Sequence, residues 1–342
     1  MAITLKDISR QAGVHVATVS KVLNNTYRNA RITDECARKV QKVAAQLGYL
    51  PHAGARAMVQ RHFGCIALLL SRERTWSILP DQLLSGIQHS LNELGLNLLI
   101  SSLPDDKLTS DEYVPRILRE ASSDGLLINY NANIPQRMLD LIHAHHLPAV
   151  WINSKQEHNT VYPDDFKAAY DTANHLLSLG HRHIVWVDFN SPTDDSPCHY
   201  SQRDRQAGYA KAMSQAGLTP QRIGDRHLLG HFQTVAAVAA ALTVPDPPTA
   251  MLCYDTESAR SAYMAARLTG LEVPRQLSMA VFCDRRVETM DMKFATVCLP
   301  EFQLGQAAVA LLLRRIANPE PDQPAQSMPF DFRPGQSIAP PL

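Results

Sequence analysis

The sequence lacks the motifs that mark several classes of enzyme. None of its 15 glycines is spaced as GxG, so it has neither a dinucleotide-binding fingerprint nor a glycine-rich phosphate loop, and no Walker motif occurs. Its cysteines stand singly, without CxxC spacing, at positions 36, 65, 198, 253, 283 and 298. Such spacing favours thiols in a reducing compartment over a disulfide frame or a zinc site. No nucleophile is paired with a recognisable base. We therefore expect no enzyme activity, no cofactor and no bound metal.

Long apolar runs are also missing. No stretch approaches 18 consecutive apolar residues, and the N-terminal MAITLKD has no basic segment followed by an apolar run. The first absence argues against a membrane-spanning helix, and the second argues against a signal peptide. We expect a soluble cytoplasmic protein with no membrane partner.

The net charge of zero hides two unlike parts of the chain. Residues 1–62 hold ten Lys and Arg against three Asp and Glu, a net charge of +7, and the remainder carries −7. The basic end is suited to meeting phosphates. A solvated helical face would produce the same imbalance, so charge alone leaves both interpretations open.

Residues 4–25 show the pattern of two short helices joined by a tight turn. Thr4 can cap a first helix over LKDISRQA, Gly13 ends it, and a second helix follows as VATVSKVLNN. The second helix has one apolar face, and its other face consists of Ala17, Thr18, Ser20, Lys21 and Asn24. This arrangement is typical of a helix-turn-helix head, whose second helix enters the major groove of DNA.

A third helix is predicted from Thr33 to Leu47, with Gly48 at its end. The segment HAGARAMVQR after Pro51 is too short to be stable as an isolated helix. We expect it to become ordered only against a partner.

From Gly64 onward, short apolar runs alternate with helical patterns. Eight strands are predicted at 65–70, 96–101, 125–130, 148–153, 183–188, 249–254, 277–282 and 294–299. Segments long enough for crossover helices separate most of them, which indicates parallel sheets covered by helices. The predicted fold is an all-α helix-turn-helix head followed by an α/β core of two lobes.

The sequence resembles the lactose-repressor and galactose-repressor (LacI/GalR) family of bacterial transcription regulators in the runs TLKDISRQAGV, VATVSKVLNN, LGYLP and ARAM. The resemblance extends over nearly the whole chain through the runs HLLSLGHRHI, RDRQAGYAKAM, LTGLEVPRQLSM and LGQAAVALLLRRI. It implies a head over residues 1–49, a hinge over 50–62 and a core over 63–342 like that of the periplasmic sugar-binding proteins. One lobe would comprise about 63–161 and 294–320, and the other about 162–293 and 321–342.

The resemblance implies a homodimer that reads a near-palindromic operator, with the hinge in the minor groove. Met58 stands where the family has a leucine that wedges open a base step. The predicted DNA-contacting residues are Thr4, Leu5, Val16, Ala17, Thr18, Ser20, Lys21, Asn24, Asn25, Ala55 and Met58. No leucine heptad follows the core, so we expect a dimer rather than a tetramer.

Effectors of this family lie between the lobes, which agrees with the placement of ligands at the carboxyl ends of parallel strands. Arg205 matches the effector-binding arginine, and its planar fork of donors suits vicinal hydroxyls, a carboxylate or a phosphate. The other predicted effector-binding residues are Trp76, Asn129, Asn153, Phe232, Asp255, Cys283 and Asp284. Asp255 replaces a usual asparagine and Cys283 an aspartate, so the effector of better-known members does not carry over.

Other clusters have plainer structural interpretations. A helix end explains the cluster of His143, His145 and His146 better than a metal site does. A glycine turn likewise explains the pair of His227 and His231 better than a metal site does. The acidic pairs at 164–165 and 194–195 fit a lobe crossover or a solvated loop better than a catalytic pair.

We therefore predict a sequence-specific transcription regulator, acting as a repressor, whose effector is a sugar or sugar derivative, with or without a phosphate. A purine-type ligand or a phosphoprotein co-effector is the alternative within this class. From other classes, a stand-alone sugar-binding protein or an enzyme on the same fold is the alternative. Induction and co-repression use the same parts and both stay open.

Overall fold

The computed structural model describes residues 3–24, 26–50, 62–72, 77–104, 116–119, 122–131, 134–190, 198–224, 231–284 and 292–342. The chain divides into two compact units, residues 1–64 with 122–124 and the remaining residues. The first unit contains the head, and the second contains both lobes of the core.

Three helices form the head: α1 (Leu5–Ala12), α2 (Val16–Leu23) and α3 (Asp34–Gln46). A 3-10 turn over Tyr27–Ala30, which the sequence did not predict, lies between α2 and α3. Gly13 ends α1 with a left-handed φ of 65°, a conformation that glycine adopts at little cost. Ile8, Val19 and Val40, one from each helix, are fully buried in a common core. The predicted helix-turn-helix head is confirmed.

The first lobe is a parallel sheet covered by helices on both faces. Its strands are β1 (Cys65–Ser71), β2 (Asn97–Leu103), β3 (Gly125–Asn129), β4 (Ala149–Ile152), β5 (Thr160–Pro163) and β11 (Gln326–Met328). They lie in the order β11-β5-β4-β3-β1-β2. Its helices are α4 (Asp81–Glu93), α5 (Arg116–Arg119), α6 (Gln136–Ala144) and α11 (Glu301–Ala317). Ile87 and Leu312 pack on one face of the sheet, and Leu118 and Met138 pack on the other.

The second lobe repeats this three-layer plan. Its strands are β6 (Ile184–Val187), β7 (Gln221–Ile223), β8 (Ala250–Cys253), β9 (Ser278–Cys283), β10 (Ala295–Cys298) and β12 (Asp331–Arg333), in the order β12-β10-β9-β8-β6-β7. All pairs are parallel except β12, which is antiparallel to β10. Its helices are α7 (Asp165–Ser178), α8 (Tyr200–Gln215), α9 (His231–Leu242) and α10 (Thr256–Leu268). Helices α7 and α8 cover one face, and α9 and α10 cover the other.

Glycines allow two helix pairs to approach closely. A methyl group built on Gly208 of α8 would lie 2.2 Å from the Phe166 backbone oxygen of α7. One built on Gly86 of α4 would lie 2.1 Å from the Phe302 oxygen of α11. Because both contacts are to backbone atoms, a side chain could be fitted only by moving a helix.

All eight predicted strands are confirmed, whereas β5, β7, β11 and β12 were not predicted. The division of the lobes needs correction, because 295–298 lies in the second sheet although 294–320 was assigned to the first lobe. Conversely, 326–328 lies in the first sheet although 321–342 was assigned to the second lobe. The chain therefore crosses between lobes at 163–165, 298–301 and 328–331.

Within the described ranges, no helix combines the length and the apolar character needed to cross a bilayer.

Candidate functional site

The outer face of α2 carries the side chains predicted to meet DNA bases. Val19 and Val22 are buried in the head, whereas Ala17 and Lys21, four residues apart, are exposed. His15 caps the helix, since its Nδ1 atom accepts the Ala17 N–H at 3.2 Å. This burial pattern leaves Ala17 and Lys21 side by side on the surface.

Thr4 begins α1 and is held by Asp7. The Asp7 carboxylate accepts the Thr4 N–H at 3.0 Å and the Thr4 hydroxyl at 2.7 Å, and these bonds lower the pKa of Asp7. Leu5 is half-buried against the head core.

The other predicted contact residues of α2 are partly covered. Val16, Thr18, Ser20 and Asn24 are half-buried, and Asn24 Nδ2 donates to Ser20 Oγ at 3.3 Å. Asn25, Ala55 and Met58 lie outside the described residues.

In the core, Arg205 of α8 is 5% exposed and forms a buried ion pair. Its Nε donates to Asp165 Oδ1 at 2.6 Å, and its Nη1 donates to the Tyr254 carbonyl at 3.0 Å. The guanidinium carbon lies 4.9, 4.5 and 5.6 Å from the ring centroids of Tyr254, Phe282 and Phe330. We call these five residues the Arg205 cluster. Aromatic faces stabilise a cation that has lost its water.

Charge within the Arg205 cluster is balanced locally. Burial alone would lower the pKa of Arg205, but the Asp165 carboxylate outweighs burial and raises it. Burial raises the pKa of Asp165, and the Arg205 guanidinium works against that rise. The short, charge-assisted contact indicates an ionised pair with no net charge.

The start of α8 bridges the two lobes. The Tyr200 hydroxyl donates to Asn153 Oδ1 at 2.9 Å, and His199 Nε2 lies 3.2 Å from the Asn153 carbonyl. Lys155 forms an ion pair with Asp204 on the next turn of α8. Asn153 follows β4 of the first lobe with a left-handed φ of 54°, which asparagine tolerates. We call these five residues the interlobe bridge.

His199 is a neutral member of the interlobe bridge. Its Nδ1 accepts the Ser201 N–H at 3.3 Å and caps α8. Burial lowers the pKa of His199 to about 4. With Nδ1 as an acceptor, the proton is assigned to Nε2, which then donates to the Asn153 carbonyl. Ser201 Oγ also lies 3.0 Å from the Tyr254 hydroxyl, which links the interlobe bridge to the Arg205 cluster.

The remaining predicted effector residues at strand ends are buried or partly covered. Asn129, fully buried at the end of β3, donates through Nδ2 to the Ile78 carbonyl at 2.7 Å. Asp255 caps α10 and accepts the Ser258 N–H at 2.8 Å and a bond from Asn190 Nδ2 at 2.5 Å. Cys283 is half-buried beside Asp284.

Two predicted aromatic contacts have different outcomes. Phe232 is 92% exposed at the start of α9, so this structure does not bring it into a buried wall. Trp76 lies outside the described residues. The aromatic rings that the structure places around Arg205 are those of Tyr254, Phe282 and Phe330.

Sequence reasoning missed Asp165 and the interlobe bridge partners of Asn153. Asp165 was interpreted as part of a lobe crossover, which its position after β5 confirms, but its pairing with Arg205 spans 40 residues. The Asn153 partners His199 and Tyr200 lie 46 and 47 residues away. The one local signal was the position of His199 just before a helical pattern.

A cavity of about 390 Å³ opens where the chain crosses between the lobes. Its walls include Asp284, Cys298, Phe330 and Arg333 from the second lobe, and Gln303 from α11 of the first. The predicted residue Asp284 thus faces an opening between the lobes, next to Phe330 of the Arg205 cluster.

Comparison with known families matches residues 4–52 to bacterial regulatory proteins of the lacI family, and residues 173–338 to a periplasmic binding protein-like domain. The ribose operon repressor of Haemophilus influenzae is 28% identical over 323 residues, 92% of each chain. The transcriptional repressor CytR of Escherichia coli strain K12 is 28% identical over 91% of this chain and 89% of its own.

Solved structures share the fold over most of the chain. The Lac repressor dimer bound to operator and the anti-inducer ONPF has a TM-score of 0.79 at 22% identity, and the match covers 99% of this chain and 100% of that chain. A LacI family regulator from Enterococcus faecium with bound ribose has a TM-score of 0.61 at 22% identity, covering 81% and 99%.

Proposed function

We infer that the chain belongs to the LacI family of bacterial regulatory proteins and is a DNA-binding transcriptional regulator, not an enzyme. From that premise we propose that it is a repressor that binds a near-palindromic operator as a homodimer. An effector in the cleft between the lobes controls its affinity for that operator. Residues 1–49 form the DNA-reading head and 50–62 the hinge.

The exposed face of α2 supports the DNA-binding part of the proposal. Val16, Ala17, Thr18 and Lys21 are assigned to base edges, and Thr4, Ser20, Asn24 and Asn25 to phosphates and sugars. Ala17 offers a small apolar contact, such as one to a thymine methyl, and Lys21 offers a single flexible cation. In the hinge, Ala55 and Met58 are assigned to the minor groove, with Met58 as the wedge.

The ion pair of Arg205 with Asp165 is the observation that supports our proposal for the chemistry of the effector. Because Asp165 already balances the arginine charge, an anionic ligand would bring an uncompensated charge into a buried site. The rings of Tyr254 and Phe330, which are only partly buried, suit the apolar faces of a sugar or a nucleoside, and Phe330 lines the cavity between the lobes. We assign a neutral, hydroxyl-rich effector, in preference to a sugar phosphate.

Asn129 supports the same assignment from the first lobe. Its Oδ1 is buried and accepts no hydrogen bond from any residue that the structure describes. Buried carbonyl oxygens are satisfied by a donor in nearly all native structures, and a ligand hydroxyl is such a donor. The relative named for ribose and the regulator structure with bound ribose agree with a neutral sugar.

Operator binding is tested by fluorescence anisotropy with DNA fragments from the neighbourhood of the gene. The full-length protein should bind one fragment with an affinity that falls steeply with salt, and deletion of residues 1–60 should abolish binding. If the full-length protein binds no such fragment, the regulator assignment to this neighbourhood fails.

The effector class is tested by thermal-shift and operator-release measurements with matched pairs of ligands. Neutral pentoses, hexoses and nucleosides are compared with their phosphate esters. At least one neutral compound should raise the unfolding temperature and change operator affinity, while its ester does neither. A response to esters alone would contradict the neutral-effector proposal and leave the DNA-binding assignment intact.

A further inference from the structure

Two cysteines lie side by side at the carboxyl ends of neighbouring strands. Cys283 ends β9 and Cys298 ends β10, and they are register partners in the parallel pairing of these strands. Both are present as thiols. Val281 and Phe294, two and four residues before them, pack in the same core cluster under α9 and α10. Because side chains alternate along a strand, both sulfur atoms lie on that one face of the sheet.

The two thiols have different surroundings. Cys298 is 4% exposed but lines the crossover cavity of about 390 Å³, which gives a small molecule access to it. Arg333 lines the same cavity on the neighbouring strand β12. The hydrogen bond to the Asp331 carboxylate, and after it the Cys298 sulfur, raises the pKa of Arg333. Asp331 is the register partner of Cys298 and forms an ion pair with Arg333 at 2.9 Å. The thiolate is the reactive form of cysteine, and the cavity is the route by which an oxidant reaches it.

Cys283 is placed to respond to an oxidised neighbour. Its Sγ donates to Asp284 Oδ1 at 3.1 Å and accepts from the Thr256 hydroxyl at 3.2 Å. The carboxylate can take the thiol proton, and the hydroxyl stabilises the sulfur as negative charge develops on it.

We propose that Cys283 and Cys298 form a modification site at which a hydroperoxide produces a reversible intrachain disulfide. The Cys298 thiolate attacks the peroxide, so that an S–O bond forms, the O–O bond breaks and an alcohol or water leaves. The Cys283 sulfur, giving its proton to Asp284, then attacks the sulfenic sulfur. An S–S bond forms, the S–O bond breaks and water leaves. The two thiols lose two electrons in total, which the peroxide gains.

Strand geometry makes this disulfide both accessible and labile. Neighbouring strands lie ~4.8 Å apart, within the Cα separations of disulfides but beyond their usual Cβ separation of ~3.8 Å. The carboxyl ends of β9 and β10 must therefore move together, and the resulting strain makes the bond easier to reduce. The crossover at 298–301 begins directly after Cys298, so the movement is passed to the connection between the lobes.

The bond is tested on the full-length protein by mass spectrometry after treatment with tert-butyl hydroperoxide. Trypsin separates the two thiols, since Cys283 falls in peptide 276–285 and Cys298 in peptide 294–314. The expected product is these two peptides joined, with the loss of two hydrogens and full reversal by dithiothreitol. The Cys283→Ser and Cys298→Ser variants should each lose the joined peptides.

Cys253→Ser is the matched control. Cys253 is fully buried on the same face of the same sheet, but it is paired with Val281, and burial raises the pKa of its thiol. This variant should keep the joined peptides. Conversion of Cys298 to a sulfinic acid without a cross-link, or reduced thiols after treatment, would overturn the proposal. The same peptides joined equally in unfolded protein would assign the bond to chance proximity and overturn it too.

Discussion

Removing the Asp165 carboxylate should leave the Arg205 charge buried and uncompensated. The Asp165 side chain is 1% exposed and the Arg205 side chain 6%, and their contact is 2.6 Å. Breaking a buried pair by removing one partner costs about 3–5 kcal/mol, whereas replacing both partners with apolar groups can be nearly neutral. We therefore expect Asp165→Ala to lower the free energy of unfolding by about 3–5 kcal/mol. The double variant Asp165→Ala, Arg205→Met should recover much of that loss.

A double-mutant cycle measured by urea unfolding tests this reasoning. The coupling free energy between the two positions should be about 1–3 kcal/mol. Asp171→Ala is the control on the same helix, because Asp171 pairs with Lys167 at 2.7 Å but both side chains are more than half exposed, so unfolding should change little. If the losses in free energy of unfolding caused by the changes at 165 and 205 simply add in the double variant, the buried pair as we describe it is refuted. Anionic ligands should also bind Asp165→Ala better than the parent protein.

Three further predictions concern stability against pH, helix packing and DNA contact. Burial lowers the pKa of His199 to about 4 in the folded protein. As the pH falls, the unfolded chain therefore takes up a proton on this histidine before the folded protein does. The stability present above pH ~6.5 should be lost progressively as the pH falls toward 4, by up to about 3 kcal/mol. Unfolding measured from pH 7 to 4 should show this slope, and His199→Asn should flatten it. Gly208→Ala should cost about 1–3 kcal/mol, because its methyl would meet the Phe166 oxygen; an unchanged unfolding temperature would contradict the close packing. Lys21→Ala should weaken operator binding by about 1–3 kcal/mol if it reads a base, more than the exposed Lys42→Ala on α3 does. Equal losses measured by anisotropy would remove Lys21 from the base-reading set.

The fold was largely predictable because most of its strands are buried on both faces. The four residues of β8 are all buried, as are those of β4 and β6, and such apolar runs stand out in the sequence. Strands β7, β11 and β12 have only three residues each, with mixed burial and polar side chains, so no period was long enough to detect. The strand at 294–298 was assigned to the wrong lobe because the apolar character of a strand does not indicate which of the two sheets it joins.

Arg205 was singled out by the resemblance to the LacI/GalR family. The sequence by itself determined the helix-turn-helix head and the alternation of strands and helices. These follow from patterns within one or two turns of chain, where spacing and capping act. The tertiary structure alone decided that Arg205 is already paired with Asp165, that Asn153 is bound by His199 and Tyr200, and that Cys283 lies beside Cys298. These pairs are 15 to 47 residues apart in the chain, and charge balance or sulfur proximity exists only once the sheets have formed. That is why the sequence left a phosphorylated effector open, and why the buried ion pair favours a neutral one.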